Sequence, residues 1–348
     1  MNKLTKVGCS ALCGSLAAIS AANAGDLAVT GSAHVTYMSQ GGAVTGNPFG
    51  MQSSVGFAGS GELDNGWTFS LAIDETDTVA FSAARVSLTM GGLGTIEFDQ
   101  GNSGNGIAAY DNVLPTAWEE AHGAGLSGGV KTVLGVGSSD NIQYTLPKFL
   151  GTEIAVTYAH DQGTSDTADK STKQSNTATG AGYDATIKIN PSLGTEILSG
   201  LNLYMGGSVI EQYDNANVLE DKYEGVGAIT YALGPVEVGA MWSGLYSGAE
   251  YTSGTGYHTY KNHGFGVAFN VNDDFSVSYG EYQSRKAGYN QHATQGGEDS
   301  RVVEVTSWQA AYTMGGASFR VADVKADNVL WSAGDNQGAT IVSMSLAF

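Results

Sequence analysis

The chain has 348 residues, of which 50 are glycine, 17 tyrosine and only five proline, and 14% are charged. Its 34 acidic residues outnumber 15 basic ones, a formal net charge of −19 that repels phosphate backbones and excludes nucleic acid as a partner. Beyond residue 24 no stretch approaches the roughly 18 apolar residues that a membrane-crossing helix needs, so any membrane passage must be made by strands.

Residues 1–24 have the form of a cleaved export signal. Lys3 and Lys6 give a positive start, a small apolar stretch runs from Val7 to Ala22, and Ala22-Asn23-Ala24 supplies an A-x-A cleavage site. The remaining residues, 25–348, read as one domain. Without Lys3 and Lys6 the basic residues fall from 15 to 13 and the net charge from −19 to −21. Cys9 and Cys13 leave with the signal, so the mature chain is expected to hold neither disulfides nor thiolate metal sites. Its stability must come from backbone pairing and burial.

From there on the chain repeats one theme: about 8 to 12 residues of alternating apolar and small or polar side chains, then a turn. Leu27, Val29, Ala33, Val35 and Tyr37 alternate with Thr30, Ser32, His34 and Thr36; Trp67, Phe69, Leu71 and Ile73 alternate with Thr68, Ser70, Ala72 and Asp74. Successive strand side chains point to opposite faces, so each segment is a two-faced strand. Later segments repeat the pattern through Leu201 to Val209, Phe265 to Phe269 and Phe275 to Tyr279, and the last sets Val342, Met344, Leu346 and Phe348 against Ser343, Ser345 and Ala347.

Short turns alternate with longer polar connections. The short ones fall at 64–66, 91–94, 148–151, 191–200, 233–235, 271–274 and 314–316; the others fall near 39–50, 74–78, 102–129, 162–181, 213–221, 247–260, 286–300 and 329–336. These connections join sixteen strands, with both termini on the short-turn side. Hydrocarbon cannot satisfy an unpaired N–H or C=O, so such an array must close on itself, and the first strand is expected to pair with the last. The predicted fold class is all-β: a transmembrane antiparallel β-barrel of 16 strands. Trp67, Tyr144, Tyr231, Trp242, Tyr312 and Phe348 sit where an interfacial aromatic belt belongs. A soluble sandwich or solenoid also alternates, but Gly91-Gly92-Leu93-Gly94-Thr95-Ile96 lacks the Asp of a calcium-binding repeat.

The run from Thr340 to Phe348 ends on an aromatic residue with alternating apolar positions before it, and it resembles the terminal strand of bacterial outer-membrane porins. Gly25-Asp26-Leu27-Ala28-Val29-Thr30-Gly31 resembles the first strand of general diffusion porins of the alphaproteobacterial type, and Asp64-Asn65-Gly66-Trp67-Thr68-Phe69 their first periplasmic hairpin. The resemblance implies a sixteen-stranded homotrimer in the outer membrane, surrounded by lipid and lipopolysaccharide, with a long third loop folded into the pore. It also implies that the strand ending in Phe348 is read by the barrel-assembly machinery. No cofactor is implied. The expected function is a water-filled channel for passive diffusion of small hydrophilic solutes and ions; the alternatives are a substrate-selective channel and a barrel-embedded hydrolase.

The third outer connection, residues 102–129, carries Asp111, Glu119 and Glu120 as candidate constriction acids. Alternation turns Arg85, Glu97, Asp99, Lys188 and Arg320 inward, and a charge at the lipid midplane would cost about 2 to 4 kcal/mol, so these belong to the lumen. An acidic loop facing a basic wall would set up a transverse field that orients dipolar solutes, and Arg85 is the wall cation expected to meet the loop acids. His34 is expected on the wall, and Asp161, Asp166, Asp169, Glu250, Glu298 and Asp299 in outer loops, as a solvated acidic surface or as cation or lipopolysaccharide contacts. Gly125-Leu126-Ser127-Gly128-Gly129 matches the hydrolase pattern G-x-S-x-G, which requires a strand-to-helix elbow. The sequence contains neither an H-E-x-x-H zinc motif nor a P-loop, and its six histidines are scattered.

Overall fold

The computed structural model describes residues 27–41, 46–77, 79–100, 104–137, 139–160, 179–191, 196–212, 220–248, 259–287 and 300–348. The expected signal at 1–24 and the six outer-loop acids from Asp161 to Asp299 lie outside them. The strands are β1 (Leu27–Gln40), β2 (Phe49–Glu62), β3 (Thr68–Thr76), β4 (Val79–Thr89), β5 (Thr95–Gln100), β6 (Asn141–Thr145), β7 (Thr152–Ala159) and β8 (Thr179–Ile189). They continue with β9 (Leu201–Gln212), β10 (Lys222–Leu233), β11 (Val236–Tyr246), β12 (Thr259–Asn270), β13 (Phe275–Ala287), β14 (Ser300–Met314), β15 (Ala317–Asp327) and β16 (Gln337–Ala347).

Each strand pairs antiparallel with its sequence neighbours, and β1 with β16, so the sheet closes into a barrel. At the seam Ser32 opposes Ala347 and Gln40 opposes Ala339. Beyond the last paired residue the backbone of Phe348 continues the ladder: Gly31 N donates to Phe348 O at 2.8 Å and Phe348 N to Gly31 O at 3.0 Å. Gly31 admits this closure because the Phe348 ring lies across it, in the space a Cβ would take. Closure leaves no sheet edge, which is the condition for a strand array in lipid.

The period-two pattern becomes two surfaces. Leu27, Val29, Val35 and Tyr37 of β1, Leu71 of β3, Val156 of β7, Phe265 of β12 and Val342 of β16 are exposed on the outside. Aromatic pairs on that face, Tyr37 with Phe49 (centroids 5.3 Å apart) and Tyr158 with Tyr183 (5.2 Å), line the end toward the long loops, and Tyr279 with Trp308 (4.7 Å) sits nearer mid-strand. Phe348, Tyr312 and Phe319 line the opposite end.

The interior is not uniform. Inward positions on β1 to β4, such as Thr30, Ser32, Ser54, Ser60, Ser70 and Thr89, carry small polar side chains. Those on the outer halves of β14 to β16, Val303, Val305, Val324, Ala326, Ala339 and Ile341, are apolar and buried. They are covered by the connection between β5 and β6, which enters the barrel and packs Ile107, Leu114, Leu126 and Val133 on the wall side chains in one continuous apolar cluster. This connection runs to Asp140, eleven residues past the expected end at 129. Its return leg lays Val130, Val133 and Val136 toward the interior apolar residues and is not part of any of the paired strands.

Candidate pore constriction

The inner loop is held by polar groups from six strands. At its start Asn105 Nδ2 donates to Asn141 Oδ1 at 2.9 Å, Gly106 N to Gln143 Oε1 at 3.0 Å, and Ile107 N to Asp184 Oδ2 at 2.9 Å. A single 3₁₀ turn, Gly106–Tyr110, then brings the Tyr110 ring to 5.2 Å from that of Tyr204. Pro115 crosses the wall where it has no side chains: a Cβ on Gly239 would lie 2.5 Å from Pro115 Cδ, and one on Gly266 would lie 2.7 Å from Pro115 O. Beyond it Ala117 N donates to Ser278 Oγ at 2.9 Å, and the amides of Trp118 and Glu119 share Gln309 Oε1 at 3.2 and 3.0 Å. Gln309 Nε2 returns a bond to Glu119 O at 2.7 Å, so one wall amide fixes both sides of this bend.

On the way back, Asn262 Nδ2 donates to Lys131 O at 2.7 Å, and Leu134 N and Gly135 N donate to Glu224 Oε2 at 2.7 and 3.0 Å. Val136 N reaches Asp184 Oδ2 at 3.2 Å. Asp184 therefore ties the first and last legs of the loop to one point on β8. Buried backbone donors need acceptors, and charged acceptors make the stronger bonds. Glu224 is itself ion-paired with Lys222, two residues along β10 on the same inward face.

The predicted site residues separate into three groups. Arg85, Glu97 and Asp99 form one cluster on the wall: Arg85 Nη2 donates to Asp99 Oδ2 at 2.9 Å, and its Nε lies 3.3 Å from Glu97 Oε1. Arg85 thus finds its acids on the adjacent strand and not on the loop, where it was expected to find them; β4 and β5 place Arg85 directly opposite Asp99. Lys188 faces inward with its ammonium 5.3 Å from the centre of the Tyr204 ring.

The third group is the loop acids with Arg320. Glu119 is exposed toward the lumen, Asp111 is half-buried, and Glu120 is turned into the wall at 4% exposure. Glu120 Oε1 accepts the Leu114 amide at 3.0 Å, and its Oε2 stands 3.9 Å from His122 Nδ1. Burial pushes the Glu120 carboxyl up to about 8, partly offset by the Leu114 amide and reinforced by Asp111 and Glu119. Burial also lifts Asp111 to about 6 and lowers His122 to about 4. For Glu119 burial raises the carboxyl and the Arg320 guanidinium pulls it back. Arg320 lies over the Trp118 ring, 5.9 Å from its centre, with Nε donating to Ser318 Oγ at 3.2 Å. Asp184, Glu224, Gln309 and Trp118 carry the architecture of this site without having been singled out in the sequence. The readable signal for them was a trail of inward glycines and apolar residues on β9 to β16, out of place on a water-lined wall.

The sequence match to G-x-S-x-G lies in this loop too. Gly125, Gly128 and Gly129 have φ of 116°, 61° and 82°, and Ser127 Oγ accepts the Gly129 amide at 3.2 Å. The segment is an irregular turn followed by no helix, without the strand-to-helix elbow of a hydrolase nucleophile.

A closed barrel with an apolar exterior, a polar half-lumen and a long loop clamped inside defines a transmembrane diffusion pore. The sequence model of the Gram-negative porins matches residues 8–316. The chain belongs to that family, and it is an outer-membrane channel for passive diffusion of small hydrophilic solutes. No curated protein matches the sequence. Among solved structures the fold is similar to an anion-selective porin from Comamonas acidovorans, with a TM-score of 0.64 and 14% identity over 92% of this chain and 99% of that one. It is also similar to Salmonella typhi OmpF in complex with daunomycin, with a TM-score of 0.66 and 12% identity over 94% and 98%. A third similar fold is the outer-membrane channel DcaP of Acinetobacter baumannii, with a TM-score of 0.65 and 12% identity over 96% and 100%.

Proposed function

We propose that the narrowest part of the channel lies between the lumen side of the inner loop and the polar wall of β1 to β5, and that this gap sets the size cutoff. The supporting observation is the asymmetry of the interior. The loop covers the apolar wall of β10 to β16 and leaves the hydroxyl-lined side to water. Glu119 and Asp111 border the gap from the loop side, Arg320 from β15 beside Trp118, and Arg85, Glu97 and Asp99 from the opposite wall; Lys188 lies beside Tyr204. Arg85 is flanked by two carboxylates, so that wall is net negative, which favours a mild preference for cations. Anion selectivity belongs to the Comamonas porin by its name. In this chain the constriction charges argue for the opposite sign.

The reading extends to assembly. Three copies associate through outward apolar surface, the barrel contacts lipid and lipopolysaccharide, and the strand ending in Phe348 is the signal for the barrel-assembly machinery. Catalysis is no part of the proposed role, and neither is a cofactor. Planar-bilayer recording on the refolded mature chain tests the reading. Large stable conductance steps closing in threes, with a reversal potential of cation-preferring sign in a salt gradient, are expected. A folded, inserted protein that does not conduct would overturn it.

A further inference from the structure

The outward apolar surface is not of even height. On β1 it runs uncharged from Leu27 to Tyr37 and on β10 from Tyr223 to Leu233, the length of about 9 to 11 residues that a strand needs to cross a membrane. On β12 it covers only Phe265 to Phe269, on β13 Phe275 to Tyr279 and on β15 Ala317 to Val321, about half of that length. Toward the long loops the same face turns polar and charged. The ladder sets His263, Gln283, Glu304 and Asp327 side by side across β12 to β15, and one row nearer the short turns it sets Phe265, Glu281, Thr306 and Lys325. Asp323 stands beside Trp308. Gln283 Nε2 donates to Glu281 Oε1 at 2.8 Å and to Glu304 Oε2 at 3.2 Å, and Thr340 Oγ1 donates to Asp323 Oδ2 at 3.1 Å. Among the described residues no basic nitrogen lies within 4.0 Å of these carboxylates. Like charges directly opposite each other, as Glu304 and Asp327 are, repel unless water or counter-ions screen them.

We propose that the outward face of β12 to β15 beyond Tyr279 and Trp308 is an interaction surface for the phosphorylated saccharide headgroups of the outer leaflet, which are drawn down this one side of the barrel. Hydrocarbon ends here at the Tyr279–Trp308 pair, near mid-strand, and on β1 and β10 it follows the full strand. A strand face in hydrocarbon is penalised for every charge it carries, whereas thinning the lipid beside a short apolar face costs little per ångström. The partner follows from the chemistry of the face: the carboxylates and Gln283 suit sugar hydroxyls, and the exposed Lys261 and Lys325 suit phosphates. A second copy of the chain fits less well, because the outward faces of β1 and β10 offer it no matching charges. The inference rests on the reading of the chain as a barrel in contact with lipopolysaccharide, and it assigns that contact to one side.

Residues 25–348 contain no cysteine, so single nitroxide labels can be placed at Thr306→Cys, Lys325→Cys and Val209→Cys in the refolded, conducting protein. Thr306 and Val209 lie equally far from the short-turn ends of their strands. In phosphatidylcholine vesicles a water-soluble nickel chelate is excluded from hydrocarbon and oxygen is not, so the ratio of nickel to oxygen relaxation should be about tenfold higher at Thr306→Cys and Lys325→Cys than at Val209→Cys. Adding lipopolysaccharide to the vesicles should lower nickel access at Lys325→Cys severalfold and leave Val209→Cys unchanged. Oxygen-dominated relaxation at Thr306→Cys and Lys325→Cys would overturn the proposal by placing this face in hydrocarbon, and shielding from both reagents would overturn it in favour of a covering second copy. Nickel access that lipopolysaccharide leaves unchanged would overturn the saccharide partner. A Val209→Cys label out of reach of oxygen in the folded protein would instead sink the membrane-barrel reading on which the proposal rests.

Discussion

Removing the carboxylate that ties the two ends of the inner loop should loosen the constriction without opening the barrel. Asp184→Ala deletes the acceptor for Ile107 N and Val136 N, both buried. A buried donor stripped of its partner costs about 1 to 3 kcal/mol, so two stranded amides amount to about 2 to 6 kcal/mol against docking. The lower figure already raises the undocked fraction roughly thirtyfold. Adding Glu224→Ala removes the carboxylate that accepts Leu134 N and Gly135 N and that pairs with Lys222. The ladder registers of β8 and β10 are backbone pairings and survive both changes. Open-channel current noise should rise in the single variant and further in the double one, and liposome swelling should admit larger sugars. Asp184→Asn keeps one acceptor oxygen and should fall between wild type and Asp184→Ala. A folded, conducting double variant with wild-type noise and sugar cutoff would refute the claim that these carboxylates hold the loop.

Three other perturbations bear on neighbouring parts of the argument. Between pH 6.5 and 8 the docked loop keeps a proton on Glu120, raised to about 8, that an undocked loop has already released, so docking weakens as pH rises, by at most about 1.4 kcal/mol per pH unit. Below pH 6.5 the lowered His122 contributes with the opposite sign, which makes the upper window the diagnostic one. Wild-type noise should therefore increase from pH 6.5 to 8.5 and that of Glu120→Gln should stay flat; a flat wild type would count against a protonated Glu120. Arg85→Gln removes the cation between Glu97 and Asp99, and the reversal potential in a salt gradient should move toward greater cation preference, with no shift showing that this cluster lies off the ion path. Gly31→Val must push the Phe348 ring aside at the β1–β16 seam, at a cost of about 1 to 3 kcal/mol. Heat-modified electrophoretic mobility should appear at a lower temperature than for Gly59→Val, whose added side chain meets open space.

The barrel was legible in the sequence because lipid imposes a single rule on every strand, and a rule repeated sixteen times survives noise in any one segment. Inward and outward assignments for His34, Arg85, Glu97, Asp99, Lys188 and Arg320 follow from that rule and agree with the ladder registers. The alternation of turns and longer connections located the strand boundaries for a related reason, since one end of the barrel carries tight turns and the other does not.

Inside the barrel the rule stops applying, and the sequence reading stopped with it. A lumen lined only by water would make inward residues polar throughout, but Val303, Val305, Val324 and Ile341 face inward and are buried under the loop. Alternation carries no information about which inward residues meet water and which meet protein, so Glu120 looked equivalent to Glu119 although one docks against the wall and the other faces the channel. The inward glycines Gly239 and Gly266 are the exception that could have been read. A strand loses packing and gains backbone entropy in the unfolded chain at each glycine, so two of them side by side on adjacent strands mark a place where another backbone comes close. There Pro115 crosses, and from that crossing the positions of Trp118, Glu119 and Gln309 follow. The selectivity of the channel is thus written less in its charged residues than in the absent side chains that let the loop lie where it does.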